Sequence, residues 1–330
     1  MNRTLKLFIV VLYAGAAFLT SCKKSDKGTT NDTTTTTDKT QVNNMFSGLR
    51  DVAQTYTVMA GYSKRVWCAD STFINFYPNS FKDKNGKAID SQVITIQVME
   101  MYKVGSMIAN HSTTATSTGV LTSGGQIYIS ATLNGNEVFP NKYGIGFKQR
   151  ASSTSPMELY YGNTHNPDSA VTWVMDTTGK TGAIAQNTIN VSDPFLNFAA
   201  KPYYQFDSCT NFKLINCAHP YDATSAFIHI NMVFRDASFT PNNTTLYICY
   251  PLLGVVSFMP AYSYSPSTKT IQYTGWAPVG PPCKLILTSK VSTTYYYLPQ
   301  VSVVSDNMND TLPAMPVIAL DSMKRALIAL

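Results

Sequence analysis

Charge is scarce in this sequence. Asp, Glu, Lys and Arg make up 13% of its 330 residues, and Glu100, Glu137 and Glu158 are its only glutamates. A glycosidase needs two carboxylates flanking the scissile bond. No acid pair stands out here, and the aspartates fall mostly in turn-like contexts, where Asp bonds its own backbone. The four histidines are scattered, with no second Cys/His pair at zinc-ligand spacing. The chain is therefore expected to be neither an enzyme nor a holder of a metal or cofactor. Basic clusters and RNA-binding aromatic motifs are also missing, which argues against a nucleic-acid partner. The formal charge of +6 is largely terminal: from Val42 on there are 19 basic and 16 acidic residues, a net of +3. Long apolar runs are absent too. The uninterrupted stretch Leu7 to Phe18 has twelve residues, against the about 20 that a membrane-spanning helix needs.

That stretch has the length of a signal-peptide core and follows a short positive region, Arg3 and Lys6. It ends in Leu19-Thr20-Ser21-Cys22, which looks like the lipobox of a lipoprotein precursor. Residues 1–21 are expected to be removed and Cys22 to be lipidated. One acyl chain gives marginal membrane binding and each buried methylene adds about 0.8 kcal/mol, so several chains on Cys22 would hold firmly. Residues 22–43 are read as anchor and flexible linker, because Lys23 to Gln41 contain no aromatic or aliphatic side chain and include five consecutive threonines, Thr33 to Thr37. Nothing there offsets the entropy of ordering a chain. Lys23 and Lys24 stand where an aspartate often retains such proteins in the inner membrane, which favours the outer membrane. No acidic surface-export signal follows the cysteine, which favours the periplasmic face.

The body reads as β throughout. Thr55–Met59, Phe73–Tyr77, Val93–Val98, Gln126–Ser130, Ala226–Ile230, Thr245–Cys249, Lys284–Leu287 and Thr294–Leu298 are short and rich in β-branched and aromatic residues. Gly, Pro, Asn, Asp or Ser clusters bound them, such as Lys84-Asn85-Gly86 and Asn134-Gly135-Asn136. Strands at this spacing predict an all-β fold of two β-sandwich domains, 44–185 and 186–330. The junction is placed in the Gly-, Ala-, Thr- and Asn-rich segment Gly179 to Ser192. One helix is expected at the end, capped by Asp321 and burying Met323, Leu327 and Leu330 on one face.

From Gln54 to about Val138 the chain resembles the ZU5-like β-sandwich domains of Bacteroidetes lipoproteins. The resemblance rests on Gln54-Thr55-Tyr56-Thr57-Val58, on Phe76-Tyr77-Pro78-Asn79-Ser80-Phe81 and on Asp83-Lys84-Asn85-Gly86. It continues through Val93 to Glu100, Ser106-Met107-Ile108 and Leu121 to Ala131. Before the second strand, where such domains usually carry a glycine, this chain has Asp70-Ser71-Thr72. Leu214-Ile215-Asn216-Cys217 resembles the start of the second β-region of such lipoproteins. The resemblance implies a fold and a compartment and brings no catalytic residues, since relatives act mainly as interaction and structural modules. In Bacteroidetes, exported proteins can be O-glycosylated after Asp, a pattern that fits Thr33, Ser71, Ser169, Thr177, Thr311 and Ser322.

Two constellations remain. Cys217-Ala218-His219-Pro220-Tyr221-Asp222, with Asp207 and Cys209 upstream, reads as a metal site, as a Cys–His nucleophile pair or as a turn stapled by a Cys209–Cys217 disulfide. The disulfide is the preferred reading, because an exposed thiolate suits an oxidising compartment poorly. Tyrosines cluster at 160–161, 203–204, 262, 264 and 295–297, with Trp173 and Trp276 similar in type; rings like these stack on sugars on a surface or fill a core. The expected function is a membrane-anchored, non-enzymatic structural or protein-interaction module of the cell envelope. A surface glycan-binding lipoprotein is the alternative and a hydrolase the third reading. The implied partners are the membrane, envelope proteins and glycans.

Overall fold

In the computed structural model, residues 40–149, 156–163, 171–176, 186–188 and 202–330 are described. All eight expected strands are strands, and they assemble into two sandwiches. One sheet of the first sandwich runs in the order Gln54–Met59, Val93–Met101, Leu121–Leu133, Lys213–Pro220, Glu158–Asn163, Thr172–Met175. The facing sheet is Gln186–Thr188, Pro202–Cys209, Tyr143–Lys148, Phe73–Phe76, Lys64–Trp67. Alternation sends Ile94, Ile96 and Val98 into the core, where they meet Ile74, Tyr143, Ile145 and Phe147 from the other sheet. The hairpin at Leu133 turns on Asn134 and Gly135, both at positive φ (50° and 81°), as a tight two-residue connection requires.

The second sandwich has one sheet ordered Ala261–Ser265, Thr270–Pro278, Ser225–Val233, Met308–Thr311, here called the open sheet. Facing it is the covered sheet: Val255–Met259, Thr244–Tyr250, Pro282–Val291, Thr294–Val303, Val317–Ile318. Ile228, Ile230, Met232, Ile271 and Tyr273 of the open sheet pack on Leu246, Ile248, Leu285 and Leu287 of the covered one. The pair Ser225–Val233 with Met308–Thr311 is parallel, while the other described ladders are antiparallel.

Three short helices cover the other side of the covered sheet. They are α1 (Thr40–Leu49), α2 (Val104–Ala109) and α3 (Leu320–Ile328). Val42, Met45, Phe46 and Leu49 lie at i, i+3, i+4 and i+7, so one face of α1 is apolar and buried. With Met107, Ile108, Met323 and Leu327 they pack on Tyr247, Cys249, Val256, Ile286 and Tyr297. Each fully buried aliphatic or aromatic side chain contributes about 1.5–3 kcal/mol, so the three helices stabilise this face heavily. Tyr128 and Leu214 of the first sandwich join the same cluster. The helices are thus a wedge between the sandwiches, and Thr37–Leu330 is one compact unit.

Three boundaries differ from the sequence reading. The anchor-and-linker segment 22–43 overlaps α1, which starts at Thr40. The domain junction is not at 185/186: Pro202–Cys209 and Lys213–Pro220 complete both sheets of the first sandwich, and the chain changes sandwich over 221–224. Composition flagged a small-residue segment, whereas the deciding fact is long-range pairing of 213–220 with 121–129. Asp321 does not cap α3. Ala319 is the N-cap, without a side-chain bond, and Asp321 lies in the first turn, where a negative charge favours the helix dipole. Met323 and Leu327 are buried as expected, and Leu330 packs partly against the same cluster.

Candidate functional site

The outer face of the open sheet follows from strand periodicity. In Ser225–Val233 the inward residues Ile228, Ile230 and Met232 leave Phe227, His229, Asn231 and Val233 pointing outward. In Thr270–Pro278 the outward set is Thr270, Gln272, Thr274 and Trp276. Register then fixes the rows: Phe227 pairs with Trp276, His229 with Thr274, and Asn231 with Gln272. Asn309 joins the third row on one side and Ser263 on the other. Residues directly opposite in neighbouring strands share a face and touch.

The first row is aromatic. Phe227 is 49% exposed, and its ring meets Trp276 edge-on at 5.8 Å and His229 at 5.9 Å between centroids. The third row is a line of amides and hydroxyls: Asn231 Nδ2 donates to Asn309 Oδ1 at 2.8 Å, and Ser263 Oγ donates to Gln272 Oε1 at 3.4 Å. Asp306 sits beside His229, whose backbone N–H and ring Nδ1 lie 2.9 and 3.1 Å from Asp306 Oδ1. The backbone N–H of His229, then its ring, holds the Asp306 carboxyl below its ordinary range. The nearest cations in sequence, Arg235 and Lys269, stand in the turn past Val233, where Lys269 Nζ donates to the Arg235 carbonyl at 2.7 Å. The face combines the exposed Phe227 ring, backed by the half-buried Trp276, with uncharged hydrogen-bonding groups and one carboxylate, a set that recognises a ligand without demanding charge from it.

A second polar constellation lies in the first sandwich and serves the fold. Glu100, 6% exposed, accepts from Gln54 Nε2 at 2.9 Å and from the backbone N–H groups of Asp70 and Thr72 at 2.7 and 2.9 Å. Gln54 Oε1 in turn accepts from the Ala69 N–H and the Tyr56 hydroxyl. The carboxylate thus pins the turn Cys68 to Thr72. Ser71, in that turn, takes φ 76°, the left-handed conformation that favours glycine. Burial, and then the nearby Glu100, raises the Asp70 pKa. Both Glu100 oxygens are occupied by donors, so this acid is committed to holding a loop.

The Cys217–Asp222 constellation does not converge. Cys68, Cys209, Cys217, Cys249 and Cys283 are all free and buried. Cys209 and Cys217 lie in opposite sheets of the first sandwich and join its core as apolar side chains, so the expected Cys209–Cys217 disulfide is absent. Burial pushes both thiols up, Cys217 well above its ordinary value, and Cys249 up to about 12, which disfavours thiolate. His219 Nδ1 lies 2.7 Å from the Pro220 carbonyl oxygen and 3.7 Å from Asp222. Among the described residues no group of three or more His, Cys, Asp or Glu is placed to hold a metal.

Of the expected modification sites, Thr311 is exposed at the end of Met308–Thr311, Ser322 is half-buried on α3 and accepts from Arg325 at 3.1 Å, and Ser71 is half-buried in the turn held by Glu100. Cys22, Thr33, Ser169 and Thr177 lie outside the described residues, as does His165. Most of the tyrosine clusters fill cores: Tyr160, Tyr203, Tyr204 and Tyr297 are buried, as is Trp173. Trp276 was singled out in the sequence among the surface-or-core aromatics, whereas Phe227, its partner in register, was not. The signal was present in the strict alternation from Phe227 to Met232, which puts a phenylalanine in phase with the polar face. Among the described residues no helix is long and apolar enough to cross a membrane. No family model matches the chain, and no curated protein matches it either.

Proposed function

We propose that the mature chain is a non-enzymatic binding module of a bacterial cell envelope, anchored at the outer membrane through Cys22, with the open sheet as its working surface. The observation that carries this reading is the asymmetry of the second sandwich. One sheet is covered by the open sheet on one side and by the three helices over much of the other, leaving Val301 and Val303 exposed near its end. The open sheet presents Phe227, exposed and in register with the half-buried Trp276, on its outer face. The anchor rests on the charged start, short apolar core and lipobox at the N-terminus. The first sandwich, with the motifs shared with ZU5-like domains, serves as the structural partner of the second. Glycosylation at Thr311 belongs to the same proposal. Hexose-sized additions in the intact mass of native protein support it, and their absence overturns it.

The test is recovery from native cells. Cross-linked wild type should bring down a specific envelope component. Cys22→Ala, which removes the anchor, and the double variant Phe227→Ser with Trp276→Ser, which strips the face, should each lose it. Equal recovery by the double variant contradicts the assignment of this face.

A further inference from the structure

We propose that the outer face of the open sheet binds a neutral polysaccharide, a sugar ring lying on the exposed Phe227, which the half-buried Trp276 supports edge-on, and its hydroxyls pairing with Asn231, Gln272 and Asn309. This deepens the binding-module reading and rests on it. The argument is one of chemical complementarity. A pyranose offers a carbon-hydrogen face that suits an aromatic ring, and hydroxyls that both donate and accept. Side-chain amides also do both from one group. On this face the rings form one row and the amides another, four residues along the strands, with the His229 and Thr274 row between them. An extended chain of sugars crossing the strands' length meets both.

Charge selects among ligands. An anionic polymer needs cations, and the four strands of the open sheet contain no Lys or Arg, so their outward positions are neutral apart from the titratable His229 imidazole. The one carboxylate, Asp306, opposes an anion and accepts a hydroxyl readily. A protein partner is disfavoured by the make-up of the face. A standard interface covers about 800 Å² per side around a desolvated apolar centre, whereas the rings here occupy one end and amides and hydroxyls fill the rest. Access is provided for as well. Helix α1, to which the N-terminal segment connects, packs against the covered sheet on the far side of the sandwich. Seventeen residues separate Cys22 from α1, a chain length that spans at most about 60 Å.

The experiment is affinity electrophoresis of the full, detergent-solubilised lipoprotein through gels containing dextran, laminarin, galactomannan or xylan, with dextran sulfate as the anionic comparator. At least one neutral polysaccharide should retard the wild type. Phe227→Ala and Trp276→Ala should each weaken that retardation about tenfold, the weight of one ring contact. Phe227→Tyr, which keeps a ring, should preserve it. A cooperative thermal transition well above the gel temperature establishes that the variants are folded. Retardation by none of the neutral polymers, by dextran sulfate alone, or to an equal extent by Phe227→Ala overturns the inference. If none retards but a protein is recovered from cells through Phe227 and Trp276, the polysaccharide fails and the binding module stands. If nothing at all is recovered through those residues, both fall.

Discussion

Strands Thr244–Tyr250 and Ser225–Val233 face each other across one sandwich, and both are rich in β-branched and aromatic residues. In the first, every position is buried, because Leu246, Ile248 and Tyr250 meet the open sheet while Tyr247 and Cys249 meet the helices. In the second, burial alternates, and the outward phase holds Phe227, His229 and Asn231. A strand covered twice reads as a continuous apolar run, and a strand covered once reads as an alternation. The difference is what singles out the open sheet: about half of Phe227 stays exposed beyond its contacts with Trp276 and His229, whereas an aromatic in Thr244–Tyr250 is accounted for by its neighbours.

Matched truncations on the two sheets should separate most. Ile286→Ala removes a fully buried side chain between the covered sheet and the helices and should cost about 3 kcal/mol. Phe227→Ala should cost less than about 0.5 kcal/mol. Urea denaturation of both variants checks the pair, and comparable losses would break the comparison. Gly105→Ala should come next, at about 2–3 kcal/mol, because the new Cβ would overlap the Leu327 carbonyl oxygen where α2 meets α3. A thermal midpoint close to wild type would mean that the helical wedge is looser than described.

Smaller effects sharpen the picture of the open sheet. The inward Tyr273 hydroxyl is buried with no hydrogen-bond partner among the described residues. Tyr273→Phe should therefore raise stability by about 1 kcal/mol, read as a higher denaturant midpoint. The smallest expected effect is in acid. Asp306 has a folded pKa below its ordinary value of 3.8, so its contribution is present above that value and is lost as pH falls through the lower folded pKa. The wild-type difference in stability from Asp306→Asn should shrink over that window, and a difference that grows in acid would contradict the His229 contact.

The fold was legible where the signal is local. All eight strands follow from β-branched runs between turn residues, and α3 follows from Met323 and Leu327. Helix α1 was not expected: Val42, Met45, Phe46 and Leu49 carry the helical period, but the threonine run before them drew the boundary of the linker too far. The sandwich boundary was not local. Strand Lys213–Pro220 belongs to the first sandwich only because it pairs with Leu121–Leu133, some 90 residues earlier, and nothing in its composition says so. Cysteines misled for a related reason. Cys209 and Cys217 are close in sequence and sit in facing sheets, where two buried thiols pack as small apolar groups. The candidate face was half legible: Trp276 stood out as an aromatic residue, but its pairing with Phe227 is a matter of register.

The central claim, that the open sheet is the working surface, is tested most directly by hydroxyl-radical footprinting of the anchored protein in envelope membranes and after extraction. The account predicts that oxidation of Phe227, His229 and Trp276 falls in the native envelope, while exposed Val301 and Val303 on the covered sheet are oxidised equally in both. Equal oxidation of Phe227 and Trp276 in both states, with protection at Val301 and Val303, would contradict it.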